Sequence, residues 1–181
     1  MKATRTEIPD VIVLEPKVFA DSRGHFVETY NRRTFREATG ADVEFVQDNQ
    51  SVSRHHVLRG LHYQIKQPQG KLVRAIVGEV YDVVVDIRRR SPTFGKWTAV
   101  TLSAAKNNLL WVPAGFAHGF LVMSENAIVQ YKVTDYWAPE HERCIGWNDR
   151  KLAITWPLDG EPIVNDKDAR GASLASAEVF D

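Results

Sequence analysis

RGLHYQIKQPQGKLVRAIVGEVYDVVVDI, residues 59–87, decides the fold. Its first six residues read as a strand in which Gly60 permits close backbone approach. QPQG at 67–70 reads as a turn, and Lys71 then opens a valine-rich apolar run of the kind that forms buried strands. Alternate side chains of a strand share a face, so His62 should lie with Gly60 and Gln64 and opposite Arg59, Leu61 and Tyr63. On neighbouring strands of one sheet, His62 and Lys71 are placed to meet across a pocket.

Outward from this stretch the pattern is strand after strand: VEFVQDNQSVS (43–53), VLRGLHYQI (57–65), KWTAVTLS (96–103), LLWVPAGFAHGFLVM (109–123) and AIVQYKVTDYW (127–137). Turn-rich breaks separate them at 67–70, 91–95 and 124–126. Short strands at regular spacing without long intervening helices predict an all-β sandwich or barrel rather than a parallel α/β sheet. Upstream, DVIVLEPKVF is a pair of short strands broken at Pro16, followed by a turn over 21–24 and a strand over 25–30. NRRTFREATG is the one clear helix of this half: Asn31 caps it, Phe35 and Ala38 share a side, and Gly40 stops it. The chain after Pro139 is less regular and is expected to wrap the barrel.

The 181 residues suit one domain, 1–181, with a sizeable core. Lys plus Arg and Asp plus Glu are 23 each, so no net charge draws the chain to nucleic acid or an anionic membrane. Any anionic ligand must be met by local charges. The single cysteine, Cys144, forms no intrachain disulfide and reads as a small buried or half-buried residue. Neither a signal peptide nor a run approaching the roughly 20 apolar residues of a membrane span is present, which makes a cytoplasmic protein the expectation.

Several strands carry polar residues where a core should be apolar. Gln47 and Asn49 share one face, Gly60, His62 and Gln64 another, and Lys71 and Asp82 stand in the long apolar run. A partly filled barrel lines a ligand cavity in this way. Pro113, Gly115 and His118 form P-x-G-x-x-H, which resembles the second motif of the cupin superfamily, whose fold is a double-stranded β-helix or jelly roll. Metal-binding cupins pair that motif with H-x-H and a glutamate, whereas here His62-Tyr63-Gln64 stands without the glutamate. Two histidines and an amide make a poor divalent-metal site, so the barrel reads as metal-free.

Each candidate has an ordinary alternative. His62 is either a hydrogen-bonded core histidine or a base titrating near neutrality. Lys71 is either a solvated strand-end lysine or the cation beside a developing oxyanion. Tyr131 is a core tyrosine or a proton donor. Arg23 and Arg59, each beside a glycine, suit phosphate oxygens. Arg88 to Arg90 reads as a solvated strand end. His55 and His56, adjacent on a strand or turn, are expected to point opposite ways and to share no metal.

RGLHYQ, QGKLVR, GEVYDVVVDIRRRSPTFGKW and WVPAGFAHGF, with FVQDNQS before them and YKVTDYW after, closely resemble the dTDP-4-dehydrorhamnose 3,5-epimerase family. The match runs from VLEPKVFADSRGHFVE through the WND and KDA segments. The resemblance implies a homodimeric, metal-independent, cytosolic cupin that needs no cofactor and acts on a nucleotide sugar. By matching motifs it makes His62 the general base, Tyr131 the acid on the opposite face, Asp168 the carboxylate behind His62, and Lys71 the group that stabilises an enolate. It assigns Arg23 and Arg59 to the diphosphate, with His118 and Lys167 nearby. Gln47, Asp48, Asn49, Glu28 and Glu142 would address nucleoside and sugar, and Phe19 and Glu28 would come from the second protomer's N-terminal segment. Trp137 stands where the family commonly has tyrosine stacked on thymine. Epimerisation of a single carbon, a metal-dependent cupin enzyme and a catalytically silent sugar-nucleotide binder remain the alternatives.

Overall fold

The computed structural model describes residues 1–181. Its strands are β1 (Lys2–Arg5), β2 (Ile12–Glu15), β3 (Val18–Asp21), β4 (Gly24–Val27), β5 (Gln47–Arg54), β6 (Leu58–Gln64), β7 (Lys71–Val77), β8 (Glu79–Asp86), β9 (Trp97–Ser103), β10 (Leu109–Val112), β11 (Phe116–Val122), β12 (Asn126–Val133) and β13 (Glu142–Cys144). Two short helices, α1 (Arg32–Thr39) and α2 (Asp166–Ala169), complete it. A six-stranded sheet in the order β1-β2-β10-β7-β12-β5 faces a five-stranded sheet ordered β13-β6-β11-β8-β9, and β3-β4 is a separate hairpin. This antiparallel double sheet is the expected jelly roll.

The valine-rich run after Lys71 divides at Gly78, which has φ 72°; β7 before it and β8 after it lie in different sheets. A Cβ at Gly78 would come within 2.1 Å of the Asn126 carbonyl oxygen, so the crossing closes only on glycine. The connection from β6 to β7 and the turn between β10 and β11 also cross between the sheets. His62 and Lys71 are therefore not on neighbouring strands of one sheet. They belong to facing sheets and approach each other across the barrel.

Alternation places Ala127, Val129 and Val133 of β12 in the interior with Phe116, Phe120 and Val122 of β11 and Val80 and Val84 of β8. The outer face of the five-stranded sheet, including Leu58, Leu61, Tyr63, Val83 and Val85, is covered by Ile145, Leu152 and Trp156 of the wrapping C-terminal segment. The outer face of the other sheet is covered by α1. Asn31 Oδ1 accepts from the Arg33 and Thr34 amides, and Gly40, at φ 76°, returns its N–H to Arg36, as the capping residues predict. Phe35 is 1% exposed and packs edge-on against Trp111 and Phe45. Burying such a side chain contributes on the order of 2–3 kcal/mol, which a helix of this length needs.

The arginine run behaves differently from its reading. Arg89 and Arg90 are exposed, but Arg88 binds Asp86 and Asp10 at 2.6 and 2.8 Å and lies over the Phe116 ring. It locks the end of β8. The expected strand over 25–30 is also shorter, closing at Val27 in the β3-β4 hairpin.

Candidate active site

Between the sheets lies a cavity of about 380 Å³, lined by side chains from both. β6 contributes Arg59 and His62 to it, although strict alternation would put them on opposite faces. Against β11, His62 pairs with His118 and Arg59 with Phe120, so three steps on β6 match two on β11. The extra residue falls at Gly60–Leu61, where Gly60 has φ 114° and a Cβ would meet Gly119 Cα at 2.6 Å. The bulge that a shared pocket requires is present, and it turns Arg59 inward beside His62.

His62 is held from behind. Asp168, on α2 and 1% exposed, accepts from His62 Nε2 at 2.6 Å and from the Gly60 amide at 3.1 Å through its other oxygen. Burial pushes the Asp168 carboxyl up, but the hydrogen bonds from His62 and Gly60 outweigh it and hold the group below its ordinary value. An ionised Asp168 fixes the ring's orientation and keeps a proton on Nε2. That leaves the second ring nitrogen as the basic one.

Lys71 reaches across from β7 and donates to the His62 carbonyl oxygen at 3.2 Å. It is 8% exposed, and burial lowers its pKa from 10.5 to about 8 against the opposing pull of Asp82 and Glu142. Tyr131 stands on β12, on the wall opposite β6, and packs against the inner core. Burial, reinforced by Glu142 and opposed by Arg59, raises its pKa, so its hydroxyl is protonated at neutral pH. A histidine and a protonated tyrosine thus stand on facing walls of the cavity, with a buried lysine beside the histidine. This set can deprotonate a carbon acid on one face, stabilise the enolate, and return a proton on the other.

Gln47, Asn49, His118, Trp137, Glu142 and Lys167 also line the cavity. Lys167 Nζ pairs with Glu142 at 2.8 Å. His118 is buried and bound through Nε2 to Asp82, which is fully buried. The sequence marked Asp82 as out of place in an apolar run without giving it a partner; its inward register beside Val80 and Val84 is the signal that would have paired it. Gln64, expected only as a weak ligand position, has its amide fully engaged. Its nitrogen donates to the Gln67 and Tyr136 carbonyls, and its oxygen accepts from the Ala138 amide at 2.9 Å. Gln47 accepts from the Trp137 amide at 3.1 Å, so two glutamines hold the segment that presents Trp137 at the cavity mouth.

Besides Asp168, which is buried behind His62, four expected site residues stand outside this cavity within one chain. Asp48 alternates away from Gln47 and Asn49 and pairs with Lys132 at 2.9 Å. Phe19 and Arg23 are on the β3-β4 hairpin, where Arg23 is exposed and pairs with Asp21 at 2.6 Å. Glu28 follows β4 and accepts from Asn31. The histidine pair departs from its reading as well: His55 and His56 form a turn, His56 with φ 64°, and their donor atoms gather with that of Asp159 within 4.8 Å. Strand alternation does not apply in a turn. Cys144 is half-buried as expected, and burial pushes its thiol up to about 12, which keeps it protonated.

A jelly-roll barrel with this polar interior is a cupin-like protein, and its facing histidine and tyrosine are groups of the kind that exchange protons with a ligand. Comparison with known proteins narrows the class. The sequence profile described as dTDP-4-dehydrorhamnose 3,5-epimerase matches residues 5–176. The dTDP-4-dehydrorhamnose 3,5-epimerase of Pseudomonas aeruginosa is 61% identical over 180 residues, 99% of each chain. The crystal structure of dTDP-6-deoxy-D-glucose-3,5-epimerase from Legionella pneumophila, in complex with dTDP-4-keto-L-rhamnose, superposes with TM-score 0.96 at 46% identity, covering 98% of this chain and 94% of that one. A 3′-monoepimerase from Streptomyces bikiniensis, in complex with dTDP-quinovose, shares the fold at TM-score 0.90 and 35% identity, over 97% and 88% of the two chains. The chain belongs to the dTDP-4-dehydrorhamnose 3,5-epimerase family.

Proposed function

We propose that this enzyme epimerises carbons 3 and 5 of dTDP-4-dehydro-6-deoxy-D-glucose, giving dTDP-4-dehydro-L-rhamnose for dTDP-L-rhamnose synthesis. The observation that carries the proposal is the placement of His62 and Tyr131 on facing walls, with Lys71 beside His62. The C4 ketone acidifies the hydrogens on both neighbouring carbons. His62 takes one proton, Lys71 meets the charge that moves onto the C4 oxygen, and Tyr131 delivers a proton to the opposite face. Once solvent has taken the proton from His62 and returned one to Tyr131, the same sequence at the second carbon completes the reaction with no redox cofactor.

In this reading Arg59 holds the diphosphate together with Arg23 brought from a second protomer, with Lys167 and His118 nearby, while Gln47, Asn49 and Glu142 address nucleoside and sugar. Trp137, 59% exposed, supplies a ring face for the base. The reading is metal-independent because the side chains at the cupin ligand positions are already engaged: His62 by Asp168, His118 by Asp82, and Gln64 by backbone groups. We further propose one domain, 1–181, acting as a cytoplasmic homodimer. Phe19 and Phe26, 50% and 69% exposed, give the hairpin an apolar face that a second protomer would cover. That docking would bring Phe19, Arg23 and Glu28 to the second protomer's cavity. No helix is long and apolar enough to cross a membrane.

Incubation with dTDP-4-dehydro-6-deoxy-D-glucose in deuterium oxide tests the reading. Deuterium is expected at both C3 and C5. Label at C3 alone would assign the chain the activity of the monoepimerase, and label at neither would overturn the proposal.

Lys71 sets a pH limit. In the free enzyme its cationic fraction is halved at about pH 8, so kcat/KM is expected to fall above that pH with unit slope. Because the folded value of about 8 lies below the ordinary 10.5, charged Lys71 lowers folding stability below pH 8, and this penalty fades between those values. Activity should therefore drop where deprotonation of Lys71 makes the fold more stable. In Lys71→Arg the alkaline limb should move upward, and an unmoved limb would assign it to another group.

A further inference from the structure

His55 and His56 lie outside the catalytic cavity and take no part in the chemistry above. They form the turn between β5 and β6, and the main chain fixes that turn on several sides. The His55 amide donates to the Glu125 carbonyl at 2.8 Å, the His56 amide to the Val122 carbonyl at 3.3 Å, and the His56 carbonyl accepts from the Ile163 amide at 2.8 Å. At φ 64° His56 occupies the left-handed region, which a residue with a Cβ adopts at a cost. On a regular strand the two rings would point to opposite faces; here their centroids are 4.0 Å apart. Asp159, from the C-terminal wrap, closes the group. Its carboxylate is 78% exposed and bound to His56 Nε2, a hydrogen bond that holds it below its ordinary value and therefore ionised at neutral pH. One donor atom from each of the three residues lies within 4.8 Å of the other two.

We propose that His55, His56 and Asp159 bind a divalent transition-metal cation of the zinc type, and that the ion staples the β5–β6 turn to the C-terminal wrap. Two imidazoles and a carboxylate make a three-ligand zinc site, with the fourth position left to water. At about 2.0–2.1 Å from each ligand, a tetrahedral ion sets its donors roughly 3.3 Å apart. The three donors reach that spacing by small side-chain rotations about a backbone already fixed. The ion takes the place of the hydrogen bond between His56 and Asp159 and brings in His55, whose ring is exposed. Its effect is on the wrap. Val57, next to the turn, forms a parallel bridge with Ile163, and from there the chain runs into α2, which carries Asp168. The assignment does not depend on the reaction proposed above.

The test titrates the tag-free, chelator-treated full chain with zinc chloride in a calorimeter, beside its melting temperature and steady-state turnover. Saturable binding of zinc is expected, and zinc at a hundred times its dissociation constant should raise Tm by roughly 5–10 °C. Magnesium, which favours all-oxygen ligands, should do neither. His55→Gln and Asp159→Asn, both at exposed positions, should each weaken zinc binding at least tenfold while leaving kcat in the absence of metal unchanged. His62, Cys144 and Asp168 also gather donor atoms within 4.8 Å, and these variants separate the two clusters. Zinc affinity retained in both variants would place the ion elsewhere and overturn the assignment, as would the absence of saturable binding to the wild type. Binding that the variants weaken, but that leaves the wild-type Tm unmoved, would overturn the staple.

Discussion

His62→Ala lowers kcat by roughly 10²–10⁴ and removes deuterium entry at both carbons in the exchange experiment. The expectation follows from how little else in the cavity can act as a base. Asp168 is buried behind His62, and its oxygens are engaged by the imidazole and the Gly60 amide. Glu142 pairs with Lys167, His118 with Asp82, and Lys71 is predominantly cationic below about pH 8. The substitution also exposes Asp168 to the cavity as an unpaired carboxylate, so His62→Asn, which offers it an amide donor, should keep the fold better and the activity no better. Loss of C3 exchange alone would mean that a second base serves C5. Exchange within tenfold of wild type in both variants would place the base elsewhere.

The bond between His62 and Asp168 marks a boundary of what the sequence shows. The residues lie more than a hundred positions apart, and α2 has only four residues, too few for a periodic signal. Motif resemblance suggested the pairing, and the fold brings the two together through the C-terminal wrap. The barrel was legible for the opposite reason: strand alternation and turn chemistry are local, and they recur from Val43 to Trp137. The passage of β7 into β8 was not. A single glycine in an apolar run does not announce a change of sheet, and neither does the turn over 67–70, which carries the chain from β6 in one sheet to β7 in the other; that is why His62 and Lys71 first looked like neighbours on one surface. The tension between Arg59 and His62 did hold information, because two residues that cannot share a face of a regular strand pointed to the bulge at Gly60. Arg23, Phe19 and Glu28 lie beyond what one chain can place, since the hairpin's packing surface belongs to another protomer in the proposed dimer.

Tyr131→Phe separates the two proton transfers. The ring packs against the inner core cluster that includes Val73 and Val129, and phenylalanine keeps that packing, so the fold should change little. Only the hydroxyl is lost, on the wall opposite His62. Proton removal by His62 and enolate stabilisation by Lys71 remain available, but the intermediate no longer receives a proton on its far face. Net epimerisation should fall by roughly 10²–10⁴, the usual contribution of a positioned acid. Solvent deuterium should still enter, delivered back by His62 with the original configuration retained. The measurement is proton NMR of recovered substrate beside product formation. Label accumulating in unepimerised substrate is the expected outcome, and it distinguishes a missing acid from a damaged site, in which exchange and turnover would disappear together. Epimerisation within threefold of wild type would reassign the acid, and water is then the remaining donor on that face. The same experiment bears on Lys71: persistent exchange without Tyr131 requires that the enolate be stabilised by the wall His62 faces, and Lys71 is the buried cation there.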